Sequence, residues 1–265
     1  MTQPNERFTR IELMLGADAC ARLRDSSVTV VGLGAVGSYA VEGLARAGVG
    51  RLRLVDFDKV STSNINRQLL ALTSTLGQDK CEVARERVLD INPDCKVEAI
   101  CNFLDGETAL DLIGESPDLV IDAIDALNPK VELISAVRNR EIPLICCLGA
   151  ALRSDPTMIR INTLEHVHHC PLGRAVRQRL RRRGMPIDFA CVFSDEPLPR
   201  PLPIAPPIEI INEDHIISRG RARNTLGSMP TITGMFGLTA ANLAITMLAA
   251  GPDYLNTCAD RSHCI

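Results

Sequence analysis

At 265 residues and 46% hydrophobic, the chain is long enough to bury one large α/β core, and no segment has the composition of a disordered tract. A net charge of −3 excludes avid nucleic-acid binding through bulk charge, so any such contact needs a local basic cluster. Ten cysteines without one C-x-x-C spacing exclude a paired-CxxC zinc site and fit a reducing cytoplasm, where they serve mainly as small core residues.

The opening residues MTQPNERFTR lack the apolar stretch of a secretory signal. Ser27 to Val31 is a short β-branched strand that runs into Gly32-Leu-Gly34-Ala-Val-Gly37, and Ala35 to Ala47 follows with helical spacing, stopped at Gly48. Arg51 to Val55 is a second strand. Asp79 to Ile91 reads as a helix with Cys81, Val83, Ala84 and Val88 inward, ended by Asn92-Pro93. Lys96 to Ile100 is a strand, Gly106 to Ile113 a helix, Leu119 to Ile124 an apolar strand, Pro129 to Asn139 a helix and Pro143 to Leu148 a buried strand. Continuous apolar strands alternating with helices predict an α/β fold. It is Rossmann-like, with a mostly parallel sheet covered on both faces. Met158 to Leu164 alternates and extends the sheet antiparallel. Pro171 to Arg183 is a helix, Pro197 to Pro207 holds six prolines and is loop, and an apolar helix closes the pattern. The expected organisation is one domain, 1–265, with a nucleotide-binding core over 25–150 and a less regular second part over 151–265.

Glycines 32, 34 and 37 let backbone N–H groups approach an anion at a helix N-terminus. Alone they fit dinucleotide and mononucleotide binders equally. Asp56, with Asp58 close behind, ends the second strand where a carboxylate bonds ribose hydroxyls, which leaves NAD open. The discriminating set follows: Asn64, Arg67 and Gln68 in a turn-rich segment, Lys80 at the next helix, and Asp122 and Asp125 at the end of a later strand. All are expected at the carboxyl edge of the sheet, around one crevice. So much positive charge suits attack at a nucleotide phosphate better than hydride transfer. A carboxylate such as Asp125 suits Mg²⁺, which binds through one or two carboxylates plus phosphate oxygens.

The string GLGAVGS…AGVGRLRLVDFDKVSTSNINRQ…GQDK…INPDC…VIDAIDA resembles the ubiquitin-activating-enzyme-like (ThiF-type) adenylyltransferases over about Arg7 to Arg160. The resemblance implies ATP with Mg²⁺, adenylation of a carboxylate and release of pyrophosphate. It assigns Asp56 to ribose and Asn64, Arg67, Gln68 and Lys80 to phosphates, and it gives Asp125 to Mg²⁺. Arg10, in Arg7-Phe-Thr-Arg10, matches an arginine that reaches into a partner protomer's ATP site, which implies a homodimer. In the second half, Cys170-Pro-Leu-Gly-Arg174, Cys191-Val-Phe-Ser194-Asp-Glu196 and Leu226-Gly-Ser228-Met-Pro230 resemble the tRNA threonylcarbamoyladenosine dehydratase branch. That branch uses ATP to cyclise a threonylcarbamoyl group on tRNA. The zinc cysteines of sulfur-carrier activators are missing, so no structural zinc is expected.

Six arginines fall in the ten positions from Arg174 to Arg183 (174, 177, 179, 181, 182 and 183) with no intervening Glu. A solvated helix face is the plain explanation. The density favours phosphate contact with tRNA, through Arg174, Arg177, Arg181, Arg182 and Arg183, with Arg219, Arg221 and Arg223 adding to it. Glu165-His166-Val-His168-His169-Cys170 invites a metal, but Pro171 and the lack of a second cluster favour a polar loop. Cys191 is a candidate thiol for persulfide relay with a cysteine-desulfurase system, although a buried structural thiol suits its apolar setting better. Met229 to Ala250 carries no charge for 22 positions. Pro230, Asn242 and several Thr and Gly favour a buried helix over a membrane span, and the expected location is the cytoplasm. The competing activities are adenylation of a sulfur-carrier protein's C-terminus, an NAD-dependent oxidoreductase and a non-catalytic scaffold that keeps the fold.

Overall fold

Six parallel strands and one antiparallel edge strand form a single sheet in the computed structural model, which describes residues 6–199 and 226–251. The proline-rich stretch beyond Pro199, Arg219, Arg221, Arg223, Cys258 and Cys264 lie outside the described residues. The strands are β1 Ser27–Val31, β2 Arg51–Val55, β3 Lys96–Ile100, β4 Leu119–Asp122, β5 Leu144–Cys147, β6 Ile159–Thr163 and β7 Ala190–Ser194. Their spatial order is β3-β2-β1-β4-β5-β7-β6. The order reverses between β1 and β4, and in an open α/β sheet a crevice opens at the carboxyl ends of the strands at such a point.

The helices are α1 Thr9–Leu15, α2 Ala17–Asp25, α3 Gly37–Arg46, α4 Lys80–Ile91, α5 Ala109–Ile113, α6 Leu127–Asn139, α7 Pro171–Arg182 and α8 Pro230–Ala250. Successive strand residues point to opposite faces, so each central strand feeds two cores. Val28, Val30, Leu52, Leu54, Ile121 and Val192 pack with residues of α2, α3, α4 and α8. Val31, Val55, Val120, Cys146 and Phe193 pack with residues of α5, α6 and α7 on the other face.

The apolar run at 230–250 is long and apolar enough to cross a membrane by length and composition, but here it is a core helix. Ile232, Phe236, Ala240 and Ala244 are buried between α3 and the sheet. Close approach depends on missing side chains: a Cβ at Gly237 would lie 2.2 Å from the Val36 carbonyl oxygen, and one at Gly43 would lie 2.6 Å from the Ala241 Cβ.

Most elements fall where the periodicity predicts. Helix α5 begins later than Gly106 because Asp105 Oδ1 accepts from the N–H groups of Glu107 and Thr108, holding 105–108 in a turn. Strand β4 ends at Asp122 rather than Ile124, since Ile124 N–H turns back onto Asp122 Oδ1. Three elements escape the sequence reading. Helices α1 and α2 precede the first strand, and α1 buries none of its residues, which removes the periodic signal. Strand β7 inserts between β5 and β6, parallel to one and antiparallel to the other. Four apolar residues and a serine inside an irregular stretch do not announce such a pairing.

Candidate active site

The turn from β1 into α3 is built by close backbone approach. Gly32 has φ +90°, in the left-handed region that favours glycine, and its N–H donates to Val55 O at 2.8 Å. A Cβ at Gly37 would lie 1.8 Å from Gly32 O, and one at Gly32 would lie 2.9 Å from Ala123 O. Gly34 faces open space, with Gln68 Nε2 the nearest atom at 3.9 Å from a Cβ placed there. The three glycines therefore differ: 32 and 37 shape the turn, and 34 leaves its mouth clear. Ser38 fastens the polar segment over this mouth, its hydroxyl donating to Gly34 O (2.6 Å) and accepting from Leu69 N–H (3.3 Å).

Asp56 sits at the end of β2 and grips the same turn. Its Oδ2 accepts from Leu33 N–H at 2.6 Å and its Oδ1 from Asp58 N–H at 2.8 Å. Burial pushes the Asp56 carboxyl above its usual value, against the pull of the Lys80 charge. Lys80 is buried at the first turn of α4 and its Nζ donates to Asp58 Oδ2 at 2.9 Å. Asp58 thus acts first as the partner of Lys80, and a phosphate that displaced it would meet an ammonium already aimed. Asn64 Oδ1 is turned back to accept from Ser61 N–H (3.2 Å). The Asn64 carbonyl receives the N–H groups of Arg67 and Gln68. Arg67 NH1 rests on Ser63 O and Asn66 Oδ1 at 2.9 and 2.8 Å. These bonds fix a compact turn, with Gln68 facing Gly34.

Asp122 departs from expectation. It is fully buried rather than lining the crevice, and it forms an ion pair at 2.7 Å with Lys130, which is equally buried. Lys130 Nζ also donates to Cys147 O at 2.9 Å, and the Cys146 thiol approaches Asp122 Oδ2 at 3.4 Å. Burial opposes the Lys130 charge, but the Asp122 carboxylate more than offsets it and holds the ammonium protonated. This pair ties the end of β4, the start of α6 and the end of β5 together beneath the exposed Asp125. Lys130 goes unnoticed in the sequence because an isolated Lys on a predicted helix looks solvent-facing. The one available signal is its place eight residues after an Asp that ends an apolar strand.

The remaining candidates scatter. Arg10 lies exposed on α1, beside Leu13 and Met14, which are 83% and 84% exposed. Helix α7 carries the arginine cluster, but Arg177 turns inward and donates to the carbonyls of Leu164, Glu165 and Val167. Arg183 forms an ion pair with Glu132 and also donates to Ser135 Oγ. Arg177 is therefore a correction to its expected place among the phosphate contacts, whereas Arg183 stays exposed while paired, as do Arg174, Arg181 and Arg182. Cys191 is sealed in β7, with burial first among the causes that push its thiol well up, so its structural role prevails over the reactive one. Cys170 caps α7, its sulfur accepting from Gly173 N–H. His166 Nδ1 meets the Thr163 hydroxyl. No group of three or more His, Cys, Asp or Glu suited to a metal occurs among the described residues, and their eight cysteines are unpaired.

The relatives cover from about three-quarters to nearly all of the chain. The tRNA threonylcarbamoyladenosine dehydratase of Bacillus subtilis (strain 168) is 43% identical over 190 residues, 72% of this chain and 75% of that protein. The enzyme of the same name from Escherichia coli K12 is 33% identical over 253 residues, 92% of this chain and 94% of its own length. The crystal structure of the E. coli tRNA N6-threonylcarbamoyladenosine dehydratase in complex with ATP superposes with a TM-score of 0.80 at 32% identity, covering 92% of this chain and 94% of that one. The sequence matches the ThiF family over residues 6–260. A glycine turn at the β1/β4 crossover, a buried lysine at the next helix and an arginine-bearing polar turn between them thus coincide with full-length relatedness, and the chain belongs to the ThiF family.

Proposed function

We propose that this protein uses ATP to adenylate the threonyl carboxylate of threonylcarbamoyladenosine in tRNA and then cyclises that group, releasing pyrophosphate and AMP. The observation that carries the adenylation is the buried Lys80, paired with Asp58, whose N–H donates to the same Asp56 carboxylate that holds Leu33 of the glycine turn. Relatedness that runs through the second half of the chain supports the choice of acceptor.

The chemistry suits the residues. A carboxylate is a poor electrophile because its leaving group would be oxide. Attack by a carboxylate oxygen on the α-phosphorus forms a mixed anhydride and expels pyrophosphate. The neighbouring carbamoyl group then closes the ring at the acyl carbon, the acyl–oxygen bond breaks and AMP leaves with the oxygen, so the net loss is one water. Glycines 32, 34 and 37 leave room for the phosphates, Asp56 keeps free lone pairs for ribose hydroxyls, and Asn64 and Gln68 offer amide donors. Arg67 and Lys80 stabilise the negative charge that grows on the phosphates, a preorganised electrostatic contribution. Asp125 would hold Mg²⁺ through its carboxylate, with phosphate oxygens and water completing the shell, and the ion would neutralise phosphate charge. Mg²⁺ commonly binds through one or two carboxylates plus phosphate oxygens and water, so the exposed carboxylate of Asp125 suits it without an all-protein cage.

The same reading makes the protein a cytoplasmic homodimer, with Arg10 reaching the partner's site and the exposed Leu13 and Met14 beside it covered by the second copy. Arg174, Arg181 and Arg182 are the tRNA contacts it retains. A sulfur-transfer partner is the least supported association, because Cys191 is sealed and Cys101 is the exposed cysteine among those described.

Pyrophosphate release from ATP, measured with and without tRNA carrying the threonylcarbamoyl group, tests this function. Stimulation by that tRNA, with a mass loss of one water from the nucleoside, is the expected result. Release indifferent to tRNA but stimulated by a carrier protein with a Gly-Gly tail would replace the acceptor. ATP binding without release would leave a scaffold.

A further inference from the structure

The ends of β5 and β7 hold an arrangement that the ATP site does not use. Arg153 lies in the loop after β5 and is 3% exposed. One of its nitrogens donates to His169 O at 2.6 Å, while Nε and NH1 are buried without a hydrogen-bond partner. Asp195, the first residue after β7, has a buried Oδ1 that also lacks a partner. The two charges feel each other, together with that of Glu196. A buried guanidinium with two unanswered donors beside an unanswered acceptor is a costly arrangement in a folded protein, and each such group calls for an explanation.

The surroundings over-determine it. Glu196 accepts from the N–H groups of Ser154 and Asp155 and from the Ser154 hydroxyl, at 2.9, 3.0 and 2.9 Å, clamping the β5 loop to the β7 loop. Leu152, just before Arg153, has φ +60°, and His169, whose carbonyl meets Arg153, has φ +50°. Two non-glycine residues in the left-handed region thus flank one guanidinium, and strain of this kind collects at binding sites. Strands β4, β5 and β7 run parallel, so Arg153 and Asp195 emerge at the same sheet edge as Asp125, on the side of β4 away from the glycine turn. That is the side left for the group to be activated.

We propose that Arg153 and Asp195 form the subsite that recognises the carbamoyl linkage of the acyl substrate, Arg153 donating to its carbonyl oxygen and Asp195 accepting from its N–H. This inference rests on the function proposed above and narrows it. Charge selects the ligand class: one guanidinium facing the carboxylates of Asp195 and Glu196 disfavours a second anion. A neutral group that both accepts and donates satisfies every unanswered atom. A ureido group does so, and a bare amino-acid carboxylate does not. The substrate's own carboxylate is then left for the α-phosphate. Sites built this way reject analogues that lack the matching polar group, because their own buried atoms then stay unpaired.

The test compares Arg153→Met, Arg153→Lys and Asp195→Asn with the wild type, reading direct ATP affinity, thermal midpoint, and KM and kcat with tRNA carrying threonylcarbamoyladenosine. Arg153→Met is expected to raise KM for that tRNA by at least about tenfold, the scale of one hydrogen bond from a charged donor. ATP affinity should stay within about twofold, and the thermal midpoint should fall by no more than the loss of the one bond to His169 O explains. Arg153→Lys should recover part of the lost KM, and Asp195→Asn should raise KM by a smaller factor. If Arg153→Met fails to fold, Arg153→Lys and Asp195→Asn carry the test. An unchanged KM in the folded variants, or equal losses in ATP affinity, tRNA use and stability, would overturn the subsite while leaving the proposed activity intact. A wild type that ignores the modified tRNA would overturn both.

Discussion

Lys130→Met removes one half of a fully buried ion pair and tests how the site is held. Lys130 and Asp122 lie 2.7 Å apart with no exposed side-chain surface. Without the ammonium, Asp122 keeps the Ile124 N–H and the Cys146 thiol as its donors. Deleting one partner of such a pair costs on the order of 3–5 kcal/mol, a large share of the roughly 5–15 kcal/mol that stabilises a domain. The loss depends on pH, with a sign set by Asp122. Burial pushes that carboxyl up even with Lys130 present, and it rises further once the cation is gone. A carboxyl whose folded pKa is raised stabilises the fold fully below its unfolded value of about 3.9, and that contribution fades as pH climbs through the folded value. Lys130→Met should therefore be weakest at neutral pH and approach the wild type as pH falls into the raised Asp122 range. Urea unfolding at fixed protein concentration, at about pH 7.5 and about pH 5, reads the difference directly. Adding Asp122→Asn keeps an acceptor for Ile124 N–H and buries no charge, so the double variant should recover most of the stability at neutral pH. Its ATP turnover should still fall by about 10- to 100-fold, because the tether from Lys130 to Cys147 O no longer sets the loop that carries Asp125. A Lys130→Met loss below about 1 kcal/mol, equal at both pH values, would mean that the buried pair does not hold β4 and α6 together.

Four further outcomes follow from the geometry. Arg67→Ala and Asp125→Ala should each abolish pyrophosphate release while urea unfolding stays cooperative; full activity in both would remove these residues from the site. Gly37→Ala sets a Cβ 1.8 Å from Gly32 O and should weaken ATP binding together with a stability loss of about 1–3 kcal/mol, read by nucleotide titration and thermal melting. Arg181→Glu with Arg182→Glu should weaken tRNA binding and flatten its salt dependence by about one to two units of slope without changing ATP affinity. Arg177→Ala should instead lower the melting temperature, by the equivalent of about 2 kcal/mol, because its donors serve three backbone carbonyls. Equal effects of the two arginine changes on tRNA binding would contradict the division of helix α7 into an outward and an inward set.

The local elements were legible in the sequence, and so was the grouping of candidate residues around the glycine turn. Strands β1, β2 and β3 and helices α4 and α6 are written in short-range periodicity, and the candidate residues from Gly32 to Lys80 sit within fifty residues, where strand–turn–helix punctuation is readable. Tertiary structure decided what depends on non-local pairing. Strand β7 was invisible because a strand between β5 and β6 is defined by neighbours far away in sequence, and its insertion turned Cys191 from a candidate thiol into a sealed core residue. Asp122 and Lys130 became one unit only when α6 folded back over β4. The inward turn of Arg177 and the unanswered nitrogens of Arg153 are invisible for the same reason: a residue's type fixes what it can donate, but only the packed fold decides whether anything is there to accept.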